Sequence, residues 1–222
     1  MNSLDEPQVQ SVLDRLHRAA RGDIGFFLRR LPMLAGMILG KAGPPPAQLA
    51  ADFKEVYIPI SRPQGRFLYL VARSIGARTL VEFGTSFGVS TIYAAAAARD
   101  NGGHVIGTEL EPSKRERALA NLAEAGFADV SEVRLGDALE TLRDVPAPID
   151  LLLLDGWKEL YLPVLKLLEP KLRPGAVVLA DNIKTFRRSL APYVEYVQCG
   201  EHGFRSVTLP LKDGFEYSVK LG

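Results

Sequence analysis

The stretch Leu80-Val81-Glu82-Phe83-Gly84-Thr85-Ser86-Phe87-Gly88-Val89-Ser90-Thr91 decides the fold of this chain. A short apolar run ends in a carboxylate, two glycines follow four residues apart, and an alanine-rich segment comes next at residues 93–98. This order predicts a buried strand, a tight turn and a helix, because glycine permits left-handed dihedral angles and the first N–H groups of a helix have no intrahelical partner. Such a turn can cradle a nucleotide-like cofactor.

The spacing of the two glycines distinguishes between classes of cofactor. A dinucleotide-binding fingerprint, G-x-G-x-x-G, would require glycine at position 86, where serine stands. The turn instead offers the hydroxyl groups of Thr85, Ser86 and Ser90. With Glu82 just before it and the free backbone of Gly84, this set suits an amino-acid moiety that carries both an ammonium and a carboxylate group. We therefore expect these five residues to bind that part of a cofactor.

The ends of the next two predicted strands offer side chains for the rest of the cofactor-binding site. Glu109 lies 25 residues after Gly84, near the spacing of about 20 residues at which an acidic side chain binds ribose hydroxyls. Asp137 and Ala138 follow the third strand, where an adenine edge would lie and Asp137 could accept from its exocyclic amine. Each of these side chains could also serve only as a helix cap, a solvated strand end or a turn former. Their joint position at successive strand ends favours S-adenosylmethionine as the ligand.

Strand-like and helix-like segments alternate from residue 47 onward, which predicts a parallel sheet covered by helices on both faces. Two further strand-like runs near the C-terminus are joined through Lys212-Asp213-Gly214, and Asp-Gly is a strong hairpin signal. The predicted fold is α/β: a Rossmann-like, doubly wound, mostly parallel seven-stranded sheet with a C-terminal antiparallel hairpin and N-terminal helices. The predicted strands cover residues 79–83, 104–109, 130–135, 149–154, 176–180, 204–211 and 215–221.

The first 45 residues form a predicted helical extension, and the stiff break at Gly43-Pro44-Pro45-Pro46 separates it from a cofactor-binding domain of residues 46–222. Residues 1–22 have the pattern of an amphipathic helix and lack the apolar core of a secretory signal. Residues 24–40 contain Arg29, Arg30 and Pro32 and are shorter than the roughly 20 residues of a membrane span. This segment is either a core or dimer-face helix or a lid over a substrate pocket.

The overall charge limits the classes of partner that we expect, and the single cysteine indicates the cellular compartment. Lys plus Arg number 27 against 26 Asp plus Glu, so there is no general field for a nucleic acid or an anionic membrane, and a small molecule is the expected partner. Cys199 is the only cysteine, which excludes an intrachain disulfide and is typical of the reducing cytoplasm. Cys199 and His202 resemble half a zinc site, but no second such pair exists. We expect a homodimer.

Two predicted strands end in oxygen ligands. Asp155 follows the run at 149–154, and Asp181 and Asn182 follow the run at 176–180, so adjacent parallel strands would bring the three side chains together. All-oxygen ligation favours a hard divalent ion, Mg²⁺ first. A hydroxyl bound to such an ion loses its proton more readily and can attack a methyl sulfonium. Lys158 is our candidate for accepting that proton, the alternative being a solvated lysine at a helix start.

The run from about Ile60 to Leu221 resembles the cation-dependent O-methyltransferases, the family of catechol O-methyltransferase and caffeoyl-CoA O-methyltransferase. The matching pieces are Gln64-Gly65, VEFGTSFGVST, GTELEP, GDA, LLLLDGWKELY, LADNI and DGFEYSVKL. The resemblance implies S-adenosylmethionine as methyl donor and a small hydroxylated, aromatic or vicinal-diol acceptor. It further implies metal binding by Asp155, Asp181 and Asn182, proton abstraction by Lys158, and cofactor contacts from Gly84, Ser86, Ser90, Glu109 and Asp155, with Ile60 beside the cofactor.

Two positions depart from the family pattern. Gly156 stands where the catechol enzyme has a histidine, and Val207 or its neighbours stand where it has a glutamate that contacts the second catechol hydroxyl; residues 205–210 offer no carboxylate in its place. These departures concern the acceptor and leave the metal and cofactor residues intact. Trp157 is first a packing residue and, with Phe186, a predicted wall of the substrate pocket. A nicotinamide-dependent oxidoreductase and a non-catalytic cofactor-binding protein are the alternatives.

Overall fold

Seven strands form one mixed sheet at the centre of the chain. The computed structural model describes residues 2–22, 26, 29–39 and 44–222. The strands are β1 (Thr79–Phe83), β2 (His104–Glu109), β3 (Ser131–Leu135), β4 (Ile149–Leu154), β5 (Leu172–Ala180), β6 (Phe204–Leu209) and β7 (Phe215–Lys220). Their spatial order is β3-β2-β1-β4-β5-β7-β6. Strands β1 to β5 are parallel and β7 is antiparallel to both of its neighbours, which confirms the predicted fold class.

Nine α-helices surround the sheet within the described residues. They are α1 (Pro7–Arg21), α2 (Leu31–Ile38), α3 (Pro46–Asp52), α4 (Arg62–Ser74), α5 (Val89–Asn101), α6 (Pro112–Glu124), α7 (Ala138–Thr141), α8 (Tyr161–Leu168) and α9 (Arg187–Gln198). Parts of the predicted 24–40 segment, and residue 43 of the predicted boundary, lie outside the described residues. Over the part of the chain that is described, no helix combines the length and the apolar character that crossing a bilayer requires.

Both faces of the sheet are buried, as a parallel sheet requires. All six residues of β4 are buried, and from Leu151 to Leu154 successive residues enter opposite cores. One core contains Leu151 and Leu153 and packs against α1, α4, α5 and α6. The other contains Leu152 and Leu154 and packs against α7, α8 and α9. This double burial explains why β4 reads as a continuous apolar run instead of an alternating one.

The ligand-binding edge of the sheet follows from the strand order. The order reverses between β1 and β4, and a crevice opens outside the carboxyl ends of parallel strands at such a switch point. The β6–β7 loop reaches the same edge, because Ala180, the last residue of β5, pairs with Glu216 near the start of the antiparallel β7. Ile183 and Lys184 donate backbone hydrogen bonds to Gly214 and Asp213 at 3.1 and 2.8 Å. The chain after β5 is therefore tied to this loop.

The N-terminal helices pack on two different parts of the molecule. Helix α1 buries Val9, Val12, Leu13 and Leu16 in one core of the sheet. Helices α2 and α3 belong to a separate apolar cluster that contacts Trp157 and Phe186 beyond the carboxyl edge. The division into residues 1–45 and 46–222 stays a prediction. The contact of α2 and α3 with Trp157 is compatible with the predicted lid over a substrate pocket. Both the lid and the dimer face stay predictions.

Candidate active site

A cavity of about 630 Å³ opens at the carboxyl edge of the sheet and extends under α2 and α3. This volume lies within the range of about 300–1,000 Å³ that is usual for small-molecule sites. Thirteen of the residues predicted from the sequence line it: Ile60, Gly84, Thr85, Ser86, Ser90, Glu109, Asp137, Ala138, Asp155, Trp157, Lys158, Asn182 and Phe186. Glu82 and Asp181 lie behind this lining. The predicted cofactor, metal and acceptor residues therefore share one space.

The turn after β1 is held by close backbone approach. Gly84 has φ +99°, and a Cβ on it would lie 2.6 Å from the backbone of Gly156 in the loop after β4. Ser86 has φ 48°, an unusual value for a residue with a side chain, and its hydroxyl is buried and has no hydrogen-bond partner among the residues that the structure describes. A buried orphan hydroxyl costs free energy unless a ligand completes it. The turn is thus shaped to receive a polar group.

Glu82 lies beneath the turn and stabilises it from inside. Its Oε2 accepts hydrogen bonds from Thr85 at 2.9 Å and from Thr91 at 2.5 Å, while Oε1 is buried without a partner. Burial raises the pKa of this carboxyl group, and the hydroxyl donors counteract the rise. Because the side chain does not reach the cavity surface, its predicted contact with the cofactor stays a prediction.

Two acidic residues mark the ends of β2 and β3. Glu109 Oε2 accepts from the backbone N–H of Ser86 at 2.7 Å, and Oε1 accepts from the N–H groups of Leu110 and Glu111, both at 2.9 Å. The carboxylate is therefore fixed in orientation while it faces the cavity. Asp137 accepts from the N–H of Leu139 at 2.9 Å and so caps α7, which is one of the structural roles that the sequence left open. Asp137 also lines the cavity.

Asp155 and Lys158 form a pair at the end of β4 whose side chains are each 12% exposed. The Nζ of Lys158 lies 3.7 Å from Asp155 Oδ1 and donates to the Tyr161 hydroxyl oxygen at 2.9 Å. Burial and the nearby charge of Asp181 raise the pKa of Asp155 well above its usual range. Burial lowers the pKa of Lys158, and the two carboxylates oppose that shift. Lys158 is therefore enclosed among ionisable groups and is no solvated surface lysine.

Asp181 is held by two donors to the same oxygen. Its Oδ1 accepts from Gln64 Nε2 and from the backbone N–H of Asn182, both at 2.6 Å. Burial raises the pKa of this carboxyl group, with Lys158 the largest opposing influence. Asn182 adopts a left-handed conformation with φ 66°, which turns the chain sharply after β5. Oδ2 receives no hydrogen bond from the described residues and is free to face a ligand.

Several residues of the site were missed by the sequence reasoning. Gln64 was noted only as part of a motif, yet its amide fixes Asp181. Tyr161 was not singled out from the sequence, yet its hydroxyl accepts from Lys158 and donates to the carbonyl oxygen of Asp181 at 3.3 Å. Asp213 was treated as a turn residue, yet it lines the cavity, whereas Val207 is half exposed on β6 and does not. The antiparallel direction of β7 was the signal that could have placed Asp213 here.

Comparison with known proteins gives consistent matches. Residues 81–183 match a sequence family described as a methyltransferase domain. A segment of 139 residues is 40% identical to the catechol O-methyltransferase of Mycobacterium tuberculosis, covering 62% of this chain and 63% of that protein. Sequence matches therefore span about three fifths of the length of the first curated relatives.

Two solved structures resemble the whole chain. The cofactor-bound crystal structure of a protein from MTB has 30% identity and a TM-score of 0.69, and the match covers 89% of this chain and 95% of that one. The O-methyltransferase TomG from Streptomyces achromogenes, solved in complex with SAM, has 28% identity and a TM-score of 0.68 over 93% of this chain and 98% of its own.

Proposed function

Because the chain belongs to the family of catechol and caffeoyl-CoA O-methyltransferases, we propose that it transfers a methyl group from S-adenosylmethionine to a hydroxyl group of a small molecule, with Mg²⁺ as its cation. The observation that carries the proposal is the single cavity that joins the turn after β1 to Asp155 and Lys158. The acceptor class is a small hydroxylated aromatic or vicinal diol. A cytoplasmic homodimer remains the expectation for location and assembly.

The residues around the turn fit S-adenosylmethionine. The orphaned hydroxyl of Ser86 and the close backbone of Gly84 suit the amino-acid moiety. Glu109, fixed by three backbone donors, presents a carboxylate that can accept from both ribose hydroxyls. Asp137 lies beyond it, in reach of an adenine amine. When bound, the cofactor supplies an activated methyl group on a sulfonium.

The donor set at the ends of β4 and β5 fits a divalent cation. Asp181 is buried and the side chain of Asp155 is 12% exposed; the negative charge of Asp181 raises the pKa of Asp155, and Asn182 adds an amide oxygen. A cation between them would offset this repulsion, and all-oxygen ligands favour Mg²⁺. When bound, the ion lowers the pKa of a hydroxyl group that it coordinates.

Lys158 is placed to take the acceptor's proton. Its Nζ is oriented by the Tyr161 hydroxyl and by Asp155, and it lines the cavity next to both. In the proposed reaction, the acceptor oxygen would gain the methyl group from the sulfonium of the bound cofactor, which would become a neutral thioether, and Lys158 would have to be in its neutral amine form. The acceptor proton goes to Nζ of Lys158. Much of the acceleration comes from holding the two partners in line.

The test is transfer of a labelled methyl group across a panel of vicinal diols, catechols and mono-hydroxyl controls, with and without chelator. We expect chelation to abolish transfer and Mg²⁺ to restore it. Lys158→Met should lower the rate by about 10²- to 10⁴-fold, the usual range for general bases, and Asp181→Ala should abolish it. Glu195→Gln, exposed on α9 and outside the cavity lining, is the control.

Each alternative predicts a different result. Transfer that survives both chelation and Asp181→Ala would exclude the metal role. Calorimetric binding of NAD in place of S-adenosylmethionine would indicate an oxidoreductase. Cofactor binding without transfer to any hydroxyl compound would indicate a non-catalytic protein.

A further inference from the structure

The half of the cavity that lies beyond Lys158 is built from apolar side chains of the N-terminal helices. Helix α2 contributes Leu34, Met37 and Ile38, α3 contributes Leu49, and Phe53 follows directly after α3. The sequence of α2, LPMLAGMI, contains no side chain that can donate a hydrogen bond to a ligand, and its methionine thioethers are only weak acceptors. Helix α2 therefore presents hydrocarbon and the thioether of Met37 to this half of the cavity.

This apolar wall is fixed in place by contacts with the rest of the fold. Phe53 packs edge-on against Trp157, with ring centroids 6.5 Å apart. At the C-terminal end of α2, Arg188 Nη1 donates to the carbonyl oxygen of Leu39 at 2.7 Å. The hydroxyl of Ser189 donates to the carbonyl oxygen of Met37 at 3.5 Å. The wall is therefore formed before a ligand arrives.

The apolar lining continues to the protein surface. Ile38 and Ile58 both line the cavity, and they are 41% and 47% exposed. Large apolar side chains at the mouth of a site gain free energy when a ligand covers them. Apolar side chains therefore line the cavity both beside Lys158, at Trp157 and Phe186, and at the surface, at Ile38 and Ile58, and we call this lining the apolar path.

We propose that the acceptor carries an uncharged apolar substituent, alkyl or aryl, which lies along this path under α2 and α3 while its hydroxyl group lies at Lys158. This inference rests on the proposed function and adds the substituent to it. A polar or charged substituent would lose its hydration under α2 without gaining a partner. Each methylene group that the path buries should improve binding about fourfold.

The binding test uses the only tryptophan of the chain. Trp157 lies in the wall of the cavity, so its emission reports on what occupies this half. The probes are 1,2-dihydroxybenzenes with unbranched 4-alkyl chains of one to six carbons, and matched chains that end in a carboxylate. We expect the dissociation constant to fall about fourfold per added methylene over the first few carbons, and the terminal carboxylate to reverse that gain.

A matched pair of substitutions on α2 separates the path from the rest of the surface. Ile38→Gln and Leu34→Gln place an amide in the path and should remove at least tenfold of the gain from a long chain. Leu31→Gln changes an exposed leucine of the same helix, 53% exposed and outside the lining, and should preserve the full dependence on chain length.

Two results would overturn the inference: a dissociation constant that does not change with chain length, or a loss in Leu31→Gln equal to that in Ile38→Gln. The failure of the proposed function is a separate result. If neither these probes nor the wider panel of hydroxyl compounds is methylated, the transfer proposal is wrong, while the Trp157 titration still decides whether the apolar path binds a substituent. Methyl transfer at equal rates to all chain lengths, with equal dissociation constants, would reject the path and keep the transfer.

Discussion

The side-chain amide of Gln64 donates a 2.6 Å hydrogen bond to Oδ1 of Asp181, and both residues are buried. The orientation of the amide is not free, because its Oε1 accepts from the backbone N–H and the hydroxyl of Ser61 at 2.9 and 2.7 Å in the capping box of α4. A helix N-terminus therefore sets the direction of a carboxylate that we assign to the metal site, and Oδ2 is left for the ion.

Replacing Gln64 by Met should weaken Mg²⁺ binding by about 10- to 100-fold, the usual effect of removing a partner that orients a metal ligand. Calorimetric titration with Mg²⁺ measures this without any turnover. Gln48→Met changes an exposed glutamine on α3 and serves as the control. A folded Gln64→Met protein with the affinity of the parent would show that Gln64 only caps α4.

Gly156 is required by the ring of Phe83. A Cβ at position 156 would lie 2.4 Å from Cζ of that ring, so Gly156→Ala should lower the free energy of unfolding by about 1–3 kcal/mol through overpacking. In a Phe83→Leu background, the same change should cost clearly less. Urea unfolding of the four proteins of this cycle measures the coupling, and strictly additive effects would contradict the predicted contact. The contact also explains why a histidine does not fit here.

Asp150 ties β4 to the start of β1. Its Oδ2 accepts from the N–H groups of Arg78 and Thr79 at 2.7 and 2.8 Å, and its Oδ1 accepts from Arg173 at 2.5 Å. Burial alone would raise the pKa of this carboxyl group, but these donors hold it below its usual range.

Asp150→Asn should destabilise the fold by about 2–3 kcal/mol, because a charged acceptor with three donors is replaced by an amide that can face only some of them. Chemical denaturation measures the loss. Asp144→Asn, at a residue whose side chain is 81% exposed and pairs with Arg134, should cost about 1 kcal/mol or less. Equal losses in the two variants would show that the Asp150 contacts add little.

His17 makes stability depend on pH. Burial, followed by the positive charge of Arg62, lowers the pKa of His17 to about 4, and its Nε2 is buried without a partner. The remaining nearby charges are Asp14, which raises the pKa, and Arg21 and Lys212, which lower it. The unfolded chain therefore binds a proton on His17 between pH about 6.5 and about 4, where the folded chain does not.

The contribution of His17 to stability is complete above pH about 6.5 and is lost as the pH falls towards about 4. We expect the free energy of unfolding to decrease by about 1–2 kcal/mol over this range from this group, after allowance for partial exposure. His17→Gln should remove that part of the slope. Ser11→Ala, an exposed change on the same helix, should leave the slope as it is. Denaturation curves at pH 7.5, 5.5 and 4.5 compare the three proteins.

Local sequence pattern predicted the sheet because each strand carries its own signal. The strand ends at Phe83, Glu109, Leu135 and Leu154 were predicted to the residue. The start of β5 was placed at 176 instead of Leu172, because Pro174-Gly175 has the composition of a turn, while in the structure this segment belongs to the strand beside a register shift in its pairing with β4. Composition does not distinguish a bulge from a turn.

Some residues of the candidate site could be placed from local sequence pattern, and others could not. Side chains that follow a strand could be placed from the sequence, since parallel strands end at one edge. The bond from Gln64 to Asp181 joins residues that are 117 positions apart, and no local period encodes it. The sequence also did not predict that Glu82 and Asp181 lie behind the cavity lining. Residue spacing locates the end of a strand, but it does not say which side chain there reaches the cavity surface.

The contact between Gly84 and Gly156 also bears on how this protein can diverge. A Cβ at Gly84 would meet the backbone of Gly156, and a Cβ at Gly156 would meet the ring of Phe83. We therefore expect few substitutions to be tolerated at either position. Helix α2 makes fewer such demands, since Leu31 and Ile38 are 53% and 41% exposed, as is Leu39 directly after the helix, at 54%. A lineage that acquires a new acceptor would therefore record that change in residues 31–39 and leave the two glycines as they are.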